Sequence, residues 1–521
     1  MRPRIRTAIA AGFVVSSLAS VALGSGFELP ENGSIAMGRA GAFVARASDP
    51  SALMNNVAGI VGLPGVQVTL SSNFFVLGHC FQRAGSYQGF DAGASVDRTG
   101  TVFQNSPYDN GMTRYPQVCN RPGLFPAPQI LVTWRPNRYM AFGVGVYGPN
   151  AVGRMTYDDR VNEGNPMTIA PSPIRYMLLR SDLLLLHPTL AAAFAPVHWF
   201  RVGIAIQPSI AHFSFTTMAN AISGGAQSPD QDVQTTLNAT GFFMAGSLGL
   251  QIVPLSFLSF GAHVHLNMQP SAAGEGTAIY APYASNPMAM RTSTFTVDQM
   301  RASLPQQFRV GVRFNLPRAL HVTQNEASPN QPYDPMRDDW FDVELDAIYE
   351  TSSAFQALNL VNSGRIDVGG GPVVAPPSPL AVPHNWNNVW GLRLGGDVNV
   401  IPSRLALRTG VVYESGASSY QYAHIDFPAY DLVGIHAGAS IRVGFLTISL
   451  AYAHGFFGGR DNTMANPGNA MDGAGALPTI GTMGAVTARD CMTSGSDACA
   501  VNRGVYSAYS NAFNVGLNGR W

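Results

Sequence analysis

V-Y-S-A-Y-S-N-A-F-N-V-G-L-N-G-R-W, residues 505–521, is a strand written with two faces. Its odd positions include Val505, Tyr509, Phe513, Val515, Leu517 and Trp521, while its even positions include Ser510, Asn514, Asn518 and Arg520. Successive strand side chains point to opposite sides, so a period of two puts one face in apolar surroundings and the other among polar groups. In a transmembrane barrel the first face meets lipid and the second lines the lumen.

The same alternation recurs upstream. Leu446, Ile448, Leu450 and Tyr452 alternate with Thr447 and Ser449, and Leu405, Leu407, Val411 and Tyr413 with Arg404, Arg408 and Glu414. Phe341, Val343, Leu345 and Tyr349 alternate with Asp342, Glu344, Asp346 and Glu350. A soluble sandwich also alternates, but it seldom carries charges on so many consecutive strands opposite an unbroken apolar face. An Arg facing lipid at mid-depth costs about 2–4 kcal/mol. Arg309, Arg313, Arg393 and Arg408 must therefore point inward, where Asp342, Glu344, Asp346 and Asp397 can pair them.

Composition agrees. The 521 residues are 46% apolar and only 12% charged, against about 25% charge in soluble chains. Beyond the first 25 residues no apolar run reaches the roughly 18–20 residues of a transmembrane helix. Only a closed barrel then satisfies every backbone group in lipid. The formal net charge is zero, so nothing points to nucleic acid.

Strand counting predicts an all-β fold, a transmembrane antiparallel β-barrel of about fourteen strands. They fall near 65–77, 127–135, 138–148, 180–196, 200–215, 238–253, 257–268, 295–316, 339–351, 387–400, 404–415, 432–443, 445–456 and 505–521. An even number suits a single-chain barrel. Pro305 predicts a bulge or bend within 295–316. Short turns alternate with the long segments 78–126, 149–179, 216–237, 269–294, 352–386, 416–431 and 457–504. That is the pattern of short inner turns and long outer loops; the inner connection 317–338 is longer than usual.

At the N-terminus, Arg2, Arg4 and Arg6 precede the apolar Thr7–Leu23 and the small-residue end Ala22-Leu23-Gly24. This predicts a signal peptide over 1–24, ahead of a segment 25–64 and a barrel 65–521. Four cysteines in an exported chain favour disulfides. Of three connectivities, proximity favours Cys80–Cys119 and Cys491–Cys499, both as staples in long outer loops. No Cys/His spacing supports a zinc site, and His263 and His265 read as polar filler of the lumen. No metal or cofactor is expected, and no G-x-S-x-G or other catalytic set stands out, so the chain does not read as an enzyme.

Residues 25–64 are too apolar for a loose tail and rich in small residues, as a plug inside the lumen would be. Here the motifs become specific: Gly26-Phe27-Glu28-Leu29, Gly38-Arg39-Ala40 and Asn56-Val57-Ala58-Gly59. In order, they resemble the hatch of the long-chain fatty-acid transporter (FadL) and toluene-transport family, which runs G-F-x-L, G-R-A, N-P-A-G. Val57 stands where that family has proline. Gly143 to Pro149, Leu304-Pro305 before Arg309 to Val312, Trp340 to Tyr349, and Leu407 to Gly410 extend the resemblance over nearly the whole mature chain.

The resemblance implies passive uptake of a hydrophobic compound through an outer membrane. The ligand would enter an apolar pocket above the hatch and leave sideways at a kinked third strand. Gly143, Gly145 and Gly148 before Pro149 are where strand pairing can fail. Leu183 and Leu185 break the polar-inside rule, and with Phe213, Phe215 and Met218 they are candidate ligand contacts. Arg309 and Arg393 could pair a ligand carboxylate, although structural pairing with the lumenal acids is the stronger expectation.

The expected partners are a hydrophobic small molecule, outer-membrane lipid and lipopolysaccharide, and the barrel assembly machinery, whose recognition signal the terminal aromatic Trp521 resembles. The barrel is expected to be monomeric. Two other functions fit a barrel: a porin for small polar solutes, and a surface adhesin or binding platform.

Overall fold

A computed structural model describes residues 32–84, 114–148, 154–161, 170–220, 229, 232–284, 286–318, 333–368, 373–376, 378–463 and 501–521. The predicted signal peptide, Gly26, Phe27, Leu29, Pro149, Cys491 and Cys499 lie outside these residues.

The chain is a closed ring of fourteen antiparallel strands. The first six are β1 (Gly65–Arg83), β2 (Gln117–Cys119 and Phe125–Asn137), β3 (Met140–Tyr147 and Arg154–Thr156), β4 (Arg180–Val197), β5 (Phe200–Asn220) and β6 (Asp232–Leu255). Four interrupted strands follow: β7 (Leu258–Asn267 and Ser271–Tyr280), β8 (Arg291–Arg301 and Gln307–Pro317), β9 (Asp339–Glu350 and Ala357–Gly364) and β10 (Leu380–Pro383 and Val389–Ile401). The last four are β11 (Leu405–Glu414), β12 (Leu432–Val443), β13 (Leu446–Phe457 and Arg460–Asp461) and β14 (Gly504–Arg520). β14 pairs with β1 from Gln67 opposite Arg520 to Arg83 opposite Gly504, which closes the ring.

Each expected strand is present. Two readings change. The segments 269–294 and 352–386, taken as loops, carry the upper pieces of β7, β8, β9 and β10. Their residues, such as Ser-Ala-Ala-Gly-Glu-Gly from Ser271, are small and polar, so the apolar half of the alternation is faint. Cys80 and Cys119 are bonded, but as register partners at the ends of β1 and β2 rather than in free loops. The bend expected at Pro305 is the interruption between Arg301 and Gln307, where Leu304 turns inward.

The outer surface is an apolar belt that includes Ile130, Leu190, Ile206, Leu248, Val310 and Leu450, as lipid requires. Trp134, Tyr139, Trp199, Phe257, Trp340 and Trp521 sit on the outer face toward the short-turn end, where an aromatic girdle belongs. Inside, residues 33–62 fold into α1 (Ser34–Gly38), α2 (Ala52–Asn55) and a 3-10 turn (Val57–Gly62). Gly395 and Gly410 let this segment touch the wall, since a Cβ on either would meet the Arg39 carbonyl oxygen at 2.1 and 2.6 Å.

Candidate functional site

The internal segment is fastened by charge. Arg39 is completely buried; its Nη1 donates to Asp397 Oδ1 at 2.7 Å and also to Asp342, and its Nη2 to Glu344 Oε2 at 3.3 Å. Arg46 Nη1 lies 2.8 Å from Asp342 Oδ2 and 3.0 Å from Asp397 Oδ2. From the wall, Arg313 reaches Asp342 and Asp339, and Arg408 reaches Asp397. Glu344 Oε1 accepts the Ala45 amide at 2.7 Å, and Asp346 Oδ2 accepts the Phe43 and Val44 amides at 2.9 and 3.1 Å. Four arginines thus face a run of acids on β9 and β10, and the acids' spare lone pairs hold the plug's backbone. A buried charge stands only when it is paired this way.

Polar side chains complete the fastening. Asn56 Nδ2 donates to the Val44 and Leu250 carbonyls, both at 2.8 Å, and its Oδ1 accepts from Ala58 N at 3.2 Å. Asn56 therefore caps the 3-10 turn that Val57 opens, a place where proline would also fit. The order that a proline would supply here comes from the Asn56 cap. Ala58 and Gly59 lie in that turn, and Gly38 packs against the stem of Arg408.

Above the plug the lumen turns apolar. Leu183 and Leu185 point inward with 2% and 4% exposure, while Leu184 between them is 46% exposed. Leu183 is the register partner of Phe213, and Phe215, Met218, Leu237 and Phe243 extend the surface. Tyr176 and Leu178 close it from the 157–179 connection, and Ile425, Phe427 and Tyr430 from the 415–431 connection. Met37 of α1 belongs to the same apolar cluster, so the plug forms its floor.

Beside this cluster, β3 pairs with β4 from Met140 opposite Phe194 to Tyr147 opposite His187, and Arg154 to Thr156 pair with Asp182 to Arg180. Among the described residues, Leu183 to Leu186 of β4 have ladder partners on β5 alone. On the other flank, β2 pairs with β3 only as far as Gln129. Pro126 and Pro128 stand beyond it, and a proline has no amide to donate. Gly143 and Gly145 lie in the paired part of β3, and Gly148 ends it.

Below the plug, a cavity of about 870 Å³ is lined by Arg46, Arg135, Arg138, Arg201, Arg313 and Arg520. Its chemistry is opposite to that of the chamber above.

The lumenal charges divide differently from the sequence expectation. Arg313 and Arg408 do pair Asp342 and Asp397, and Arg393 also pairs Glu414 of β11. Arg309 Nη1 reaches Asn55 Oδ1 of the plug at 3.3 Å. The counter-ions that sequence reading missed are Arg39 and Arg46, whose i to i+7 spacing in an irregular segment carries no periodic signal. His265 bonds Ser247 and Asn267, and His263 lies buried beside Arg309 in the register.

A fourteen-stranded, lipid-facing barrel with an ion-fastened internal plug is an outer-membrane-type barrel with a hatch. No known protein-family signature and no curated protein matches the sequence. Solved structures do match. A FadL homologue of Pseudomonas aeruginosa is similar with a TM-score of 0.65 and 16% identity, over 95% of this chain and 100% of that one. The toluene transporter TbuX of Ralstonia pickettii gives 0.56 and 14%, over 94% and 98%. The toluene transporter TodX of P. putida gives 0.58 and 12%, again over 94% and 98%. The chain has the fold of the FadL and toluene-transporter barrels.

Proposed function

We propose that this barrel passes hydrophobic compounds across an outer membrane by diffusion. The observation that carries the reading is the inward-facing apolar cluster of Leu183, Leu185, Phe213, Phe215 and Met218, which meets the plug at Met37. A greasy solute gains about 25 cal/mol per Å² of apolar surface removed from water, and the chamber offers that surface. Downward, the same solute would meet buried ion pairs and an arginine-lined cavity. Sideways, it would meet the leucines of β4 and then lipid. Exit through the wall is the lower barrier, with hatch movement adjusting the chamber floor.

The ligand we propose is dominated by hydrocarbon. Arg393 is taken up by Glu414, and Arg309 faces the hatch. Neither is set apart for a carboxylate, so Arg309 and Arg393 would contact at most a ligand's polar end. The test is uptake of a hydrocarbon and of a long-chain fatty acid by cells carrying the full-length barrel, alongside planar-bilayer conductance. Saturable uptake with little conductance supports the reading. Large, stable ion conductance would mark a porin instead and overturn it.

A further inference from the structure

Where the upper wall meets the roof of the chamber, three metal-ligating side chains converge. The upper pieces of β7, β8, β9 and β10 pair in order and form a flap that ends at Leu380–Pro383. His384 follows that edge strand directly. His424 and Asp426 come from the 415–431 connection, which folds inward and places Ile425 and Phe427 against the chamber. One ligand atom from each of the three lies within 4.8 Å of the others, and their side chains are 1%, 8% and 5% exposed.

The proton inventory is short. His384 Nδ1 faces the Val382 carbonyl at 3.0 Å, and a carbonyl only accepts, so that nitrogen carries the proton. A neutral His384 then turns the lone pair of Nε2 toward Asp426 Oδ2, 2.8 Å away. His424 Nδ1 lies 2.7 Å from Asp426 Oδ1, with the Asp426 amide 3.2 Å away. Two imidazole nitrogens thus crowd one buried carboxylate, an arrangement that a cation shared among the three would satisfy.

We propose that His384, His424 and Asp426 bind a divalent transition ion of the zinc type, which clamps the roof connection to the free edge of the flap. Two imidazole nitrogens and one carboxylate oxygen suit zinc rather than calcium or magnesium, and a fourth position stays open for water. Bonds of about 2.0–2.2 Å set tetrahedral ligand atoms about 3.3 Å apart, so small side-chain adjustments bring the three ligand atoms, already within 4.8 Å of one another, into range. The Val382 carbonyl on His384 Nδ1 is the outer contact that orients a metal-binding ring. Phe355 packs on His384 with ring centres 4.7 Å apart and holds it in place. The clamp goes beyond the transport reading and does not depend on it.

The test uses untagged full-length protein in detergent, stripped with a chelator, loaded with zinc and dialysed, with bound metal counted by mass spectrometry. We expect one zinc per chain, a rise in thermal midpoint on loading, and affinity reduced by more than about 10-fold in His424→Ala and Asp426→Ala. His212→Ala, on the outward face of β5, should keep its zinc. Far-UV circular dichroism establishes that each variant is folded, and His424→Gln serves if His424→Ala is not. No retained zinc in the wild type, the result that a protonated His-Asp-His network would give, overturns the proposal. So does equal zinc in wild type and a folded His424 variant.

Discussion

Arg39 of the hatch donates to Asp397 of β10 at 2.7 Å, and neither side chain is more than 1% exposed. The two are fixed in one place by opposite elements, so the contact is a lock between plug and wall. Removing one partner of a buried pair strands the other, at a cost of about 3–5 kcal/mol. Arg39→Ala should therefore loosen the hatch while the barrel stays closed. Limited proteolysis should cut the N-terminal segment faster, and single-channel recording should show open events that the wild type lacks. Unchanged protection would mean that the backbone bonds to Glu344 and Asp346 hold the hatch without Arg39.

The chamber gives a second expectation. Leu183→Asn puts an amide on the lumenal wall opposite Phe213, where no partner is arranged for it. A buried unsatisfied polar group costs about 1–3 kcal/mol. Binding of a hydrocarbon probe, followed by fluorescence competition, should weaken by roughly 10-fold, while Leu184→Asn on the outer face leaves binding as it was. Equal losses in both would point to general destabilisation.

The proposed sideways exit beside β3 is testable by closing it. Tyr147 lies opposite His187, so Gly148 and Leu186 come next in register on the outward side. Gly148→Cys with Leu186→Cys should form a bridge between β3 and β4. We expect uptake of a hydrophobic substrate to stop in the oxidised form and to return on reduction. Full uptake in the bridged barrel would remove the sideways route.

The Cys80–Cys119 bridge spans 39 positions and ties the short piece Gln117–Cys119 to the end of β1. Disulfides of this kind contribute about 2–4 kcal/mol. Because the rest of β2 is held by its own ladder, Cys80→Ser with Cys119→Ser should leave the lower barrel intact. Hydrogen exchange should rise at Gln117 to Cys119 and stay slow at Gln129 to Thr133. Uniform loss of protection would show that the bridge supports the whole wall.

The strands were readable because lipid enforces a rule at every second residue. Val310 and Val312 must be apolar, and Arg309 and Arg313 must be hidden. Where lipid no longer applies, the rule fades, so the upper pieces Ser271–Tyr280 and Ala357–Gly364 passed as loop. The position of Leu183 and Leu185 was visible as a violation of the same rule. The partners of Arg39 were not, since Asp342 and Asp397 lie some three hundred positions away and no local period marks the pairing. His384 and His424 are likewise 40 positions apart in an irregular stretch, beyond what ligand spacing can reveal.

Asn518 and Gln67, joined across the seam between β14 and β1, are 451 positions apart. Closing a span of that length costs about 5 kcal/mol of chain entropy, and it is recovered only once the ladder zips. Before the final strand arrives, the other thirteen form a curled sheet with two raw edges, and hydrocarbon offers those edges no hydrogen-bond partner. A chain that lost β14 would be a sheet unfit for the bilayer rather than a slightly narrower pipe. Whether the sheet can live in the bilayer is thus decided at the seam where β14 meets β1, several strands around the ring from β9 and β10, which hold the plug.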